Sequence, residues 1–117
     1  MPVTAKETAL HVQALEAARR QRGSERAARL LAHAEEAKNL LRERYCANRV
    51  WLFGSLVAGA PTADSDVDLA VEGLPSTVYF NALADLMSLF RAPVDLVRLE
   101  EAPHSLHDRI LLEGREL

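Results

Sequence analysis

Ser65-Asp66-Val67-Asp68-Leu69-Ala70-Val71-Glu72 is the stretch on which the fold turns. Its alternation reads as a β-strand over Val67–Glu72, in which residues two apart share a face. One face reads Asp66, Asp68, Ala70 and Glu72; the opposite face reads Val67, Leu69 and Val71. Aspartate is disfavoured in strands, so two on one face need a reason. A wetted edge strand is one explanation, and a shared cation is another.

A second carboxylate strand tilts that choice. In Pro93-Val94-Asp95-Leu96-Val97-Arg98-Leu99, Asp95 interrupts an otherwise apolar strand. If this strand neighbours the first, Asp66, Asp68 and Asp95 converge. Two carboxylates about 4 Å apart repel by roughly 4 kcal/mol at an effective dielectric near 20. That is about three pKa units, so the cluster must take up a proton or a hard cation. Oxygen-only ligands with room for water and phosphate suit Mg²⁺ better than Zn²⁺. Two such ions can activate an attacking oxygen and stabilise leaving pyrophosphate.

Upstream, Val50-Trp51-Leu52-Phe53 reads as a buried strand that runs straight into Gly54-Ser55. Glycine lacks the Cβ that would keep a phosphate from the backbone. Ser55 adds a hydroxyl and an N–H near a helix start, where anions are favoured. Gly54 and Gly59 have the glycine spacing of a P-loop, but Ala60-Pro61 stands where Lys-Ser/Thr is required, which excludes that motif.

Around this centre the chain reads as helix. Thr4 and Glu7 fit a capping box, and helix is expected from Thr4 to about Tyr45, broken at Gly23-Ser24, with Ser24 capping a second helix. Leu30, Ala34, Ala37 and Leu41 recur at helical spacing. Ser76–Arg91 reads as a helix with Tyr79, Leu83, Leu86, Met87 and Phe90 on one face, and Ser105–Glu113 as a last helix stopped near Gly114. Strands separated by helices predict an α/β (α+β) fold: a small mixed β-sheet flanked by helices, with an N-terminal helical arm. Residues 1–117 are expected to form a single domain, with the arm over 1–46 and a catalytic core over 49–117. The Ala-rich arm suits close packing on the core, on a second copy or on a helical partner, so a homo-oligomer is possible.

Composition narrows the function. The net charge of −3 argues against a nucleic-acid binder. Cys46 is the only cysteine, which excludes an intrachain disulfide and a cysteine zinc cage and fits a reducing cytoplasm. It is expected to pack as a small side chain. No signal core or membrane-length run is present, so a cytoplasmic protein with no membrane partner is expected. The four histidines form no metal motif.

Gly-Ser at a strand end, a loop, Ser65-Asp66-Val67-Asp68-Leu69, and a later strand carrying Asp95 together resemble the DNA polymerase β-type nucleotidyltransferase superfamily. Within it the chain is most similar to the minimal nucleotidyltransferases, partners of HEPN proteins in toxin–antitoxin pairs. The resemblance covers about Val50 to the C-terminus, including Ile110-Leu111-Leu112-Glu113-Gly114-Arg115. It implies that Gly54 and Ser55 contact the triphosphate of ATP or another NTP. It implies that Asp66 and Asp68 are metal ligands, and that Asp95 completes the Mg²⁺ site and helps activate the incoming hydroxyl. The implied reaction is attack on the α-phosphate with release of pyrophosphate. In the antitoxin branch the acceptor is a tyrosine of the HEPN toxin, which becomes adenylylated. One departure stands out: Leu56 and Ala58 are apolar where many members carry a basic residue. Arg49, Arg91 and Arg98 are the candidate substitutes, each more readily read as a surface charge. The departure also leaves open a weak or inactive antitoxin that neutralises its partner by binding alone.

Overall fold

Helix α1 runs unbroken from Ala5 to Leu31 and opens with the expected capping box: Glu7 N donates to Thr4 Oγ1 at 3.1 Å and Thr4 N to Glu7 Oε2 at 3.2 Å. The computed structural model describes residues 4–117. The break expected at Gly23-Ser24 does not occur, and Ser24 caps nothing. Gly23 costs the helix about 1 kcal/mol relative to alanine, and the good helix formers around it carry the chain past. The turn comes later, at Ala32–His33, and α2 (Ala34–Asn39) then widens into a π-helical turn over Leu40–Arg44.

Four strands follow, interleaved with short helices: β1 (Arg49–Phe53), α3 (Ser55–Ala58), β2 (Val67–Glu72), a 3₁₀ turn (Ser76–Val78), α4 (Tyr79–Phe90), β3 (Val94–Arg98), a 3₁₀ turn (Leu99–Glu101), α5 (His104–Glu113) and β4 (Arg115–Glu116). The sheet order is β3-β2-β1-β4, with β2 and β3 parallel and the other pairs antiparallel. This is the mixed sheet that was expected, with one strand more. β4 is too short and too charged to read as a strand; it exists because α5 delivers it to the free edge of β1, where Arg115 pairs with Leu52 and Glu116 with Trp51. Arg49 fastens that edge by a two-pronged ion pair with Glu116, 2.5 and 3.1 Å, and lies over the Trp51 ring.

The alternation of β2 sorts its residues onto two cores. Val67, Leu69 and Val71 are fully buried in the larger core with Leu30, Leu41, Leu86 and Phe90, under the N-terminal helices and α4. Ala70, on the other face, packs with Trp51, Leu99 and Ile110 beneath α5. Along α4, Ala82, Leu86 and Phe90 are the buried positions, while Met87, expected inside, is 44% exposed. The helix starts three residues late, after the 3₁₀ turn. Cys46, expected to pack, is exposed and holds a left-handed turn (φ 61°) between the π-helical turn and β1.

The arm has two parts. From Gly23 onward it belongs to the core, through Ala27, Leu30, Ala37 and Leu41. Over its first turns it stands clear, with Leu10, Val12 and Leu15 exposed. The radius of gyration is accordingly 18.0 Å, against about 13 Å for a compact domain of this length. No helix among the described residues is long and apolar enough to cross a membrane.

Candidate active site

The strand register assembles a row of side chains across the sheet. Phe53 at the end of β1 pairs with Asp68, and Asp68 pairs with Asp95 on parallel β3. Residues paired in register point to the same face, so Asp68 and Asp95 stand side by side. Asp66 lies just before β2 rather than inside it, because the strand begins at Val67, whose N–H donates to Pro93 O at 3.1 Å. Asp66 and Asp95 are exposed and Asp68 is half-buried.

Asp68 records the proximity of the other two. Its carboxyl is held above its ordinary pKa, first by burial, then by the charge of Asp95, then by that of Asp66. Among the described residues none of the three carboxylates takes part in an ion pair. They form an uncompensated acidic cluster. It is an open one: among the described residues no three His, Cys, Asp or Glu side chains already close around a common point.

Gly54 abuts the cluster. Its backbone (φ 78°, ψ −155°) lies where essentially only glycine is tolerated. A Cβ there would fall 2.1 Å from Asp68 Oδ2. The glycine is therefore required twice, by its own backbone and by the carboxylate it faces. From Gly54 the chain enters α3, and Ser55 Oγ donates to Ser65 Oγ at 3.2 Å. Gly54, Ser55 and Asp68 share one cleft of about 510 Å³ with Phe53, Ala58, Leu106, Arg109 and Glu113. Asp66 and Asp95 do not line it.

Of the basic residues considered in place of Leu56 and Ala58, none reaches the cleft. Arg49 holds Glu116, Arg98 donates to Leu74 O at 2.9 Å and pairs with Glu101, and Arg91 is the left-handed cap of α4. The cation in the cleft wall is Arg109, loosely paired with Glu113 at 3.8 Å. Sequence reading missed it because its place depends on how α5 crosses the sheet. The one available signal was its position on the turn of helix that carries Leu106 and Ile110.

Residues 35–117 match the family described as Polymerase beta, Nucleotidyltransferase. The chain belongs to that family. A relative named Protein adenylyltransferase MntA, from Thermococcus cleftensis, is 37% identical over 87 residues, 72% of this chain and 84% of that protein. Among solved structures, one described as a candidate minimal nucleotidyltransferase aligns at 31% identity and a TM-score of 0.63, covering 74% of this nucleotidyltransferase and 92% of that chain. Another, the tri-AMPylated HEPN toxin of Shewanella oneidensis in complex with its MNT antitoxin, aligns at 26% identity and a TM-score of 0.54, covering 70% and 69%. The mixed sheet and its flanking helices are thus a nucleotidyltransferase fold, and α1 lies wholly outside the matched region.

Proposed function

We propose that this nucleotidyltransferase moves AMP from ATP to a hydroxyl, that of a tyrosine on a HEPN-type toxin, and acts as the antitoxin of the pair. The single observation that carries the reading is the cross-strand pair Asp68–Asp95, with Asp66 at its end, left without a countercharge beside a glycine only glycine can occupy. Three hard oxygen donors whose mutual repulsion is unrelieved fit Mg²⁺. Asp66, Asp68 and Asp95 would hold one or two ions, which when bound supply charge neutralisation at the triphosphate.

The protein's own part is positioning. Gly54 lets the phosphates approach the backbone, Ser55 offers a hydroxyl, and Arg109 offers the guanidinium that Leu56 and Ala58 lack. Phe53 and Leu106 give the cleft an apolar wall. The acceptor oxygen attacks the α-phosphorus, a new P–O bond forms, and the bond to the β-phosphate breaks. Pyrophosphate leaves, and the acceptor proton passes to Asp95, which is exposed and paired in register with Asp68 of the cleft wall. Support for adenylyl as the group, and for a HEPN protein as its recipient, comes from the relative named Protein adenylyltransferase and from the AMPylated toxin in the aligned complex.

The apolar Leu56 and Ala58 favour a second reading, in which the chain neutralises its partner by contact alone. Incubation with labelled ATP, Mg²⁺ and the HEPN-type partner separates the two. Label should appear on the partner's tyrosine and vanish with Asp66→Asn. Neutralisation that persists in Asp66→Asn, with no label in the wild type, overturns the enzymatic reading.

A further inference from the structure

Although α1 precedes the family match, it reaches the loop beside Ser55. Arg26 is half-buried and its Nε donates to the Ser65 carbonyl at 2.8 Å. One turn earlier, Gly23 is buried, and a Cβ there would lie 2.4 Å from the Pro61 carbonyl oxygen and 3.1 Å from Thr62 Cα. The arginine grips the far end of the 61–65 loop; the glycine lets the near end lie flush on the helix.

Between these contacts the loop is closed on itself. Thr62 N donates to Ser65 Oγ at 2.7 Å and Ser65 N to Thr62 O at 3.2 Å. Ser65 is 7% exposed, the one buried polar side chain among the described residues. Its hydroxyl accepts from Ser55 Oγ, and the residue after it is Asp66. The intervening Thr62, Ala63 and Asp64 are exposed and bring no apolar anchor. Without α1 this loop would have to be ordered each time a ligand bound, at a conformational cost per residue. A charged donor on a part-buried carbonyl is among the stronger hydrogen bonds, so the ordering is done in advance.

We propose that α1 clamps the nucleotide site, and that Arg26 is a positioning residue which, through Ser65, sets Ser55 and Asp66 for the triphosphate of ATP. The proposal rests on the roles given above to Ser55 and Asp66. It assigns a task to a helix that the family match does not include.

Hydrogen exchange on the full chain tests the clamp without requiring activity. Arg26→Ala should speed exchange at the 62–66 amides and at Ser55 by about tenfold, and Arg26→Lys, which can still donate to the carbonyl, should return most of the protection. In adenylyl transfer to the HEPN-type partner, the same alanine variant should raise the KM for ATP about tenfold and change kcat by less than threefold. Gly23→Ala displaces the loop from its other end and should raise KM likewise; it carries the test if Arg26→Ala does not fold. Unchanged exchange in a folded Arg26→Ala overturns the clamp. Faster exchange with an unchanged KM overturns the positioning role. A wild type that transfers nothing, with exchange still loosened by Arg26→Ala, faults instead the ATP reading on which that role rests.

Discussion

Replacing Asp68 by Asn should stabilise the fold while abolishing transfer. Burial, Asp95 and Asp66 all hold the Asp68 carboxyl above its ordinary pKa, so the folded protein binds that proton more tightly than the unfolded chain. A raised folded-state pKa contributes stability that is fully present below the unfolded value and is lost as pH rises through the folded one. At neutral pH Asp68 is therefore a net liability to the fold. Coulomb repulsion between carboxylates about 5 Å apart is roughly 3 kcal/mol at an effective dielectric near 20. Asp68 is half-buried and its two neighbours are exposed, so solvent screening reduces this to about 1 kcal/mol. For a chain of this length that is a rise in Tm of about 4 °C. Thermal melts of wild type and Asp68→Asn in metal-free buffer at pH 7.5 and pH 3.5 provide the assay. The variant should melt higher at pH 7.5, and the difference should close at pH 3.5. Millimolar Mg²⁺ should then raise the Tm of the wild type and leave Asp68→Asn nearly unmoved. A variant that melts lower than wild type at pH 7.5, or equal Mg²⁺ shifts in both, would refute the reasoning.

Two further substitutions probe the cleft. Gly54→Ala combines a forbidden backbone with a Cβ 2.1 Å from Asp68 Oδ2. It should cost about 2 kcal/mol in urea unfolding and at least about a hundredfold in transfer. Arg109→Ala should raise the KM for ATP about fivefold, with little change in Tm because the side chain is 73% exposed and its pair with Glu113 is weak; steady-state kinetics across ATP concentrations check it.

Particular residues show what could be read from the chain alone. The period-two pattern of Val67, Leu69 and Val71 against Asp68 and Ala70 is a local property, and the structure keeps it. Gly54 and Gly23 show the limit. Both are glycines before a serine, and both read as breaks in the sequence. One ends a strand and turns into the cleft; the other stays inside a helix, and the demand for glycine there comes from Pro61, thirty-eight positions away. Arg109 and β4 were missed for the same reason: the path of α5 across the sheet places both, and nothing in their own neighbourhood records that path.

The sequence by itself determined β1, β2 and β3, the helical character of the segments around them and the α/β class, and it set aspartates at 66, 68 and 95 in or beside two of those strands, since alternation, helical spacing and the cost of aspartate in a strand act over a few residues. Only the tertiary structure decided that β2 and β3 run parallel in a register that sets Asp68 against Asp95, that Arg109 rather than Arg49 or Arg98 faces the cleft, and that α1 reaches the loop before Asp66. Register and helix docking are chosen by the burial of whole faces, a sum over contacts between distant segments, and no short window of sequence contains both sides of such a contact.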